Sequence, residues 1–400
     1  VKSVYQQTYS VSQIKRFIYL KEIFFLSIGA FGGPGAHLNA IIRNLVKKRK
    51  YITEGELLEL HSFCQMLPGP TSTQMITSIG YKLGGPWLAF FSLLLWVLPA
   101  TLLMTAAVIL WNNIDTHRFS LGFLKYIEPM AVGFIIAAAL KVFMMINKNR
   151  ISVFLYLVGA ICGAVFRSPW IFPCLLVFGG WLSRRVNKND YPAYTARIRP
   201  RWNIFILFAA IMIVSVVVAN ITKSKPLLLF GNSFQYGSIV FGGGNVLIPM
   251  MYKQYVTFRQ YMSPEDFILG VGLLQALPGP VFSISTYANG MAMQDWGIMG
   301  QALGCFLGTA GIFLPGILIV FFLFPIWDEI KKMPLVRKAI EGITAVCAGL
   351  VFSAAYLLFR ELSYEWVNML VLASTLALVL FTRIPSPLVV VLTILCGFIF

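Results

Sequence analysis

The sequence predicts an all-α integral membrane protein: two inverted-topology repeats with broken or re-entrant helices, joined by an extra transmembrane helix. Three observations carry that prediction. The 400 residues are 58% hydrophobic and only 12% charged, with a mean hydropathy of +0.77, more apolar surface than a water-soluble domain could bury. The apolar stretches are continuous, as in Trp202 to Ile221, which selects helices over the period-two alternation of a barrel. Finally, one pair of motifs occurs twice. Phe31-Gly32-Gly33-Pro34 is followed by Gln65-Met66-Leu67-Pro68-Gly69-Pro70, and Phe241-Gly242-Gly243-Gly244 by Gln275-Ala276-Leu277-Pro278-Gly279-Pro280. Both pairs share one offset, since 241 minus 31 and 275 minus 65 each give 210.

Taken in order, Phe17 to Ala30 is apolar but about half as long as a crossing needs, and it breaks at Gly32-Gly33-Pro34-Gly35 before His37 to Val46 resumes. Lys47-Lys48-Arg49-Lys50 then marks a cytoplasmic turn. Thr53, with Glu54 and Glu56, reads as a helix start: the hydroxyl caps free amides and the carboxylates suit the positive end of the dipole. That helix stops at Pro68-Gly69-Pro70, because proline lacks an amide hydrogen and biases its predecessor away from the helical region. Thr71-Ser72-Thr73 opens a second short helix, which reaches Lys82 before Gly84-Gly85-Pro86. Four longer apolar stretches follow, near Trp87–Leu110, Leu121–Ile146, Ile151–Phe166 and Pro169–Leu182, and the basic linker Ser183–Arg201 comes after them.

Trp202 to Ile221 has no counterpart in the first half, and it returns the chain to the opposite side before the pattern restarts. Past the second elbow the offset becomes 216, pairing Leu98-Pro99 with Leu314-Pro315 and Gly133 with Gly349, as one six-residue insertion would give. The expected division is therefore residues 1–187 as the first repeat, 188–225 as basic linker plus extra helix, and 226–400 as the second, inverted repeat. With the N-terminus inside and the second copy inverted, the 32 Lys and Arg residues divide 24 inside to 8 outside. The net charge of +17 is accounted for by such loops, so no nucleic-acid partner is expected. The polar stretch Val1 to Arg16 does not read as a cleavable signal.

Inverted repeats with breaks at matching positions are the pattern of secondary transporters whose site lies near the bilayer midplane. Glycine lets a ligand approach the main chain, and amides at a helix start carry partial positive charge that suits an anion. The candidate substrate-binding residues are Gly32, Gly33, His37, Gln65, Gly69, Thr71, Ser72 and Thr73 in the first copy. Those of the second are Gly242, Gly243, Gly244, Asn245, Gln275, Gly279, Ser283 and Ser285. His37, Glu59 and His61 are the proton-coupling candidates, since ionisable groups at membrane depth are costly unless used. The six cysteines form no C-x-x-C pair, and the sequence has no phosphate loop, zinc spacing or nucleophile elbow. No cofactor, no metal and no enzymatic activity are expected. The driving force would then be an ion gradient, with an uncoupled anion channel or an enzyme acting on a lipid phosphate as the alternatives.

These motifs resemble the chromate ion transporter family, long-chain two-domain type. The resemblance rests on Phe31-Gly32-Gly33-Pro34 with Ala36-His37, Phe241-Gly242-Gly243-Gly244 with Val246 and Pro249, and both Pro-Gly-Pro elements, and it extends over almost the whole chain. It implies a multi-pass inner-membrane (plasma-membrane) protein that moves chromate outward at the expense of the proton-motive force and confers chromate resistance. Sulfate is a tetrahedral dianion of similar size, so family resemblance leaves chromate or a sulfate-like oxyanion as the partner, along with the lipid bilayer. A homodimer is compatible with the sequence. The second copy departs from the first at Gly244, where the first has Pro34, and at Leu247, where it has His37, which puts a symmetric site in doubt.

Overall fold

The computed structural model describes residues 13–31, 33–65, 67–113, 126–145, 149–166, 171–186, 200–240, 244–330, 333–382, 384 and 386–399, and every regular element among them is helical. Helix α1 (Gln13–Ile28) ends at the first break, and α2 (Gly33–Ile41) continues into a wide π-helical turn, Ile42–Lys48. Helix α3 (Glu54–Gln65) starts with a reciprocal capping pair: the Glu56 amide donates to Thr53 Oγ1 (3.2 Å) and the Thr53 amide to Glu56 Oε2 (2.8 Å). After the elbow, α4 (Thr71–Asn113) is one long helix kinked at Gly84 and Gly85, the latter at φ 76°. Helices α5 (Ile127–Met145), α6 (Arg150–Val165) and α7 (Ile171–Val186) complete the first half.

Helix α8 (Trp202–Thr222) exposes apolar side chains such as Ile206, Val214 and Ile221 along its length, as a lipid-facing helix does. The second half then comprises α9 (Lys225–Ile239), α10 (Gly244–Tyr252), a second π-helical turn (Lys253–Phe258) and α11 (Pro264–Ala276). Next come α12 (Ile284–Ala292), α13 (Gly297–Leu323), the short α14 (Trp327–Ile330), α15 (Pro334–Glu361), α16 (Trp366–Phe381) and α17 (Ser386–Ile399). Among the described residues four segments, centred on α4, α8, α13 and α15, are long and apolar enough to cross a membrane, and the chain is a multi-pass membrane protein.

Backbone conformation repeats with the sequence. Lys50 and Gln260, 210 apart, both take the left-handed conformation (φ 52° and 53°), as do the elbow glycines Gly69 (φ 113°) and Gly279 (φ 130°). The kink glycines Gly85 (φ 76°) and Gly297 (φ 67°) also match, but 297 minus 85 is 212. The expected single six-residue insertion is therefore split. Two residues enter between elbow and kink, where the second copy coils into 3-10 turns at Val281–Ser283 and Gln294–Trp296, and four enter between the kink and Pro315. Four residues are about one helical turn, so the later face stays in register.

The halves interlock. The α6–α7 hairpin packs on α15 of the second half, and α16 packs on α5 of the first. Glycines let the backbones approach: a Cβ on Gly159 would strike the Val346 carbonyl, one on Gly179 the Val346 side chain, and one on Gly133 the Leu372 carbonyl. Without a hydrophobic drive between helices in lipid, this close packing is what holds them together. The Lys253 ammonium adds a cross-half tie, donating to the Gly163 and Phe166 carbonyls at the end of α6.

Candidate functional site

Each elbow is fastened across the halves by the same bond made twice. The Gly69 amide donates to the Val240 carbonyl (2.7 Å), and the Gly279 amide to the Ala30 carbonyl (2.9 Å). Ala30 and Val240 are themselves 210 apart, and each stands where the helix before its break ends. Gly69 and Gly279 must be glycine, because their positive φ strains any L side chain and a Cβ would meet Gln74 and the Gly237 carbonyl in one case and Ala100 in the other. Crossing in this way brings the starts of α4, α10 and the turn before α12, with the second turn of α2, toward one point.

There a small cavity is lined by His37, Pro70, Thr71, Ser72, Gly244, Pro280, Val281 and Phe282. Thr71 opens α4, Gly244 opens α10, Val281 opens the turn leading into α12, and His37 stands in the second turn of α2. Helix starts present unpaired amides and partial positive charge, so their convergence favours an anion. None of the lining residues is an acid or a permanent cation, so a bound ion would face neutral donors and not a buried Lys or Arg. Gly244 replaces a proline here for a steric reason: a Cβ would collide with the Val281 side chain.

His37 is buried, its ring edge-on to Trp96 at 5.3 Å. Nε2 lies 3.1 Å from the Ala30 carbonyl and Nδ1 3.1 Å from Ser72 Oγ. A carbonyl can only accept, so Nε2 carries the hydrogen. Several buried polar atoms beside the elbows have no hydrogen-bond partner among the described residues: Thr73 Oγ1, Gln74 Oε1, Trp96 Nε1 and Ser283 Oγ. Thr73 and Ser283 are equivalent positions, and an orphaned buried hydroxyl costs about 1–3 kcal/mol.

The structure thus brings His37, Thr71, Ser72 and Gly244 to the cavity, with Gly69, Thr73, Gly279 and Ser283 directly behind it. Gly33 begins α2 and Asn245 follows Gly244 in the backbone of α10; Gly32, Gly242 and Gly243 lie outside the described residues. Gln65, exposed at the end of α3, and Gln275, half-buried at the end of α11, do not line the cavity. Neither do Glu59 and His61 on α3; His61 Nδ1 sits 3.2 Å from the Met75 sulfur.

Ser285 belongs to a second polar group that sequence reasoning did not find. Its hydroxyl lies within hydrogen-bond distance of Ser233 Oγ (3.0 Å) and the Gly308 carbonyl (3.1 Å), with one hydrogen to give to either. Asn289 Nδ2 donates to Ser233 Oγ (3.0 Å) and the Ser285 carbonyl (2.7 Å), and Tyr255 donates to Asn289 Oδ1 (3.2 Å). Asn289, a carboxamide in a fully buried helix, was the available signal. Gln74, whose Nε2 donates to the Pro68 carbonyl (2.7 Å), also escaped notice beside the hydroxyls of Thr71-Ser72-Thr73, as did Trp96 within an apolar run.

The chromate transporter family model matches the chain twice, over residues 19–183 and 227–399. An uncharacterized transporter of Methanocaldococcus jannaschii is 25% identical over 386 residues, covering 94% of this chain and 92% of that protein. The "Probable chromate transport protein" of Synechococcus elongatus is 25% identical over 94% of each chain. A chromate transport protein of Cupriavidus metallidurans is 24% identical over 94% of this chain and 92% of its own. No solved structure matches the chain.

Proposed function

The chain belongs to the chromate transporter family, and we propose that it is a secondary active transporter exporting chromate, or a similar tetrahedral oxyanion such as sulfate, by alternating access driven by an ion gradient. Membership supports a role in chromate transport. The observation that carries the finer reading is the cavity where helix starts from both halves meet over neutral donors, because the same arrangement that stabilises an anion also sits on the interface that must open and close. The orphaned Thr73 and Ser283 hydroxyls add donors close behind the lining.

The two halves stand in opposite orientation across the membrane in this reading. In support, polar ties between elements stay on one side of the charge division: Arg49 pairs with Glu22, Lys82 with Glu56 (2.6 Å) and Arg201 with Tyr81 (3.0 Å) on the inner side. Lys225 pairs with Asp295 (3.4 Å), and the Trp111 indole donates to Asp266 (3.2 Å), on the outer side. The test is flux of labelled chromate in proteoliposomes, with sulfate and molybdate as competitors and proton or sodium gradients imposed. Accumulation against a chromate gradient, inhibited by tetrahedral dianions, is expected. Flux that only ever runs downhill would instead identify a channel.

A further inference from the structure

The Ala30 carbonyl accepts two hydrogen bonds, from the Gly279 amide of the second half (2.9 Å) and from His37 Nε2–H of the first (3.1 Å). Because that carbonyl has only lone pairs to offer, Nε2 keeps its hydrogen whether the imidazole is neutral or charged, and all titration falls on Nδ1. Among the described residues Nδ1 hydrogen-bonds one group, the Ser72 hydroxyl at 3.1 Å, and Ser72 lines the cavity. The two states of Nδ1 therefore set the direction of the Ser72 hydroxyl. With neutral imidazole, Nδ1 is an acceptor, Ser72 donates its hydrogen to it, and the oxygen turns lone pairs toward the cavity, which repels an anion. With imidazolium, Nδ1–H donates to Ser72 Oγ and the hydroxyl hydrogen is released toward the cavity, where it can be donated to an oxyanion. A unit positive charge arrives beside the cavity in the same step.

We propose that His37 is the coupling-proton site of this transporter and that Ser72 transmits its state, so that a tetrahedral dianion and one proton are bound together. The inference rests on the anion-site reading and adds the identity and sign of the coupling. The proton goes from water onto the Nδ1 lone pair, and no covalent bond to the anion forms or breaks. The groups facing His37 are Ser72 and Trp96 from α4 and the Ala30 carbonyl from the end of α1. Pro70 and Thr71, Gly244 of α10, and Pro280, Val281 and Phe282 of the second elbow complete the lining, and none of them titrates. The bound dianion is thus the counter-charge of the imidazolium, and by linkage each raises the affinity of the site for the other. A dianion with one proton carries one net negative charge, so an inside-negative membrane potential drives it outward while an inside-alkaline pH gradient opposes its exit.

The test is calorimetric titration of the purified 400-residue chain with sulfate, a dianion throughout the range in which imidazole titrates, about pH 5 to about pH 8, in buffers of different ionisation enthalpy. One proton taken up per sulfate is expected at the upper end of that range. Affinity should tighten by up to about tenfold per unit fall in pH. His37→Gln should bind sulfate more weakly and without pH dependence, Ser72→Ala should weaken the linkage to the part carried by the imidazolium charge and Ser72→Thr should keep it whole, while His61→Gln takes up the proton as the wild type does. Sulfate binding by the wild type without proton uptake, or uptake that survives in His37→Gln, overturns the coupling assignment alone. Absence of binding by sulfate, molybdate and chromate at every pH overturns the site reading and this inference with it.

Discussion

The two halves share a backbone and divide the chemistry in opposite ways. At the cavity the first half presents His37, Thr71 and Ser72; the positions 210 further on are Leu247, Val281 and Phe282. Behind the elbow the order reverses. The second half holds Ser233, Tyr255, Ser285 and Asn289 in one hydrogen-bonded group, and the same positions 210 earlier are Ile23, Leu45, Met75 and Ile79, all buried. Duplication has therefore preserved what the glycines and prolines dictate and left the side chains free to specialise. One elbow helix faces the cavity with donors and carries only apolar side chains at the two matching positions behind it, Met75 and Ile79. The other faces it with apolar groups and is seated by directional bonds to α9, α13 and the second π-helical turn, which fix register more tightly than dispersion contacts do.

The largest effects should come from the feature the halves share. Leucine at Gly69 or Gly279 should abolish chromate flux with the protein still in the membrane, because each glycine holds a positive φ and donates the amide that crosses to the other half. Alanine should separate the two sites. A Cβ at 69 meets first the movable end of Gln74 (3.0 Å), whereas one at 279 runs into Ala100 on the helix itself. Gly279→Ala is accordingly expected to lose at least about tenfold in flux, with strain of about 1–3 kcal/mol behind it, and Gly69→Ala to lose less. Equal losses would show that the clash at Ala100 carries no weight.

The next effect separates the two cavity walls. A hydrogen bond to a charged group is worth about 1.5–3 kcal/mol, so Ser72→Ala should weaken oxyanion binding by about tenfold to a hundredfold. Phe282→Ala, at the equivalent position, removes no donor and should change affinity by less than about threefold. Competition binding of sulfate by both variants checks this, and a loss at Phe282 as large as that at Ser72 would mean that the apolar wall also holds the ligand.

The order of the helices and the pairing of the halves were legible in the sequence because proline and glycine act locally. Pro68-Gly69-Pro70 stops α3 whatever surrounds it, and the Thr53–Glu56 spacing caps α3 by a contact three residues long. His37, Thr71 and Ser72 were legible for the same reason, as polar residues placed beside such breaks. What the sequence did not disclose depends on contacts between residues far apart. The Ser233–Asn289 bond spans 56 residues and the Gly279–Ala30 bond 249, since 279 minus 30 gives that separation, and neither has a local signature. Gln65 and Gln275 are conspicuous beside the motif, and they stand at the last turns of α3 and α11, outside the cavity lining.

The buried polar group gives a smaller and separate effect. Asn289→Leu leaves the Tyr255 and Ser233 groups short of a partner in a dry interior, so apparent stability in detergent should fall by about 1–3 kcal/mol, read as a lower midpoint of thermal unfolding. Ile79→Val, at the matching place in the first half, should cost only about 1 kcal/mol. A midpoint for Asn289→Leu equal to that of the wild type would show that the Asn289 hydrogen bonds do not seat α12.

The smallest expected change would make the halves more alike. Val281→Thr places a hydroxyl where the first half has Thr71, in nearly the same volume, at a position that lines the cavity and is only partly buried. The hydroxyl therefore escapes the full desolvation cost that makes such a swap harmful in a sealed core. One added donor, offset by the water it gives up, should tighten sulfate binding by about twofold to fivefold. Its neighbour limits the gain: Val281 already occupies the space a Cβ on Gly244 would need, so the hydroxyl can adopt only rotamers that avoid the α10 backbone. If Val281→Thr weakens binding instead, the apolar half of the wall serves to exclude water from the ion, and the division between the halves is itself part of how the ligand is held.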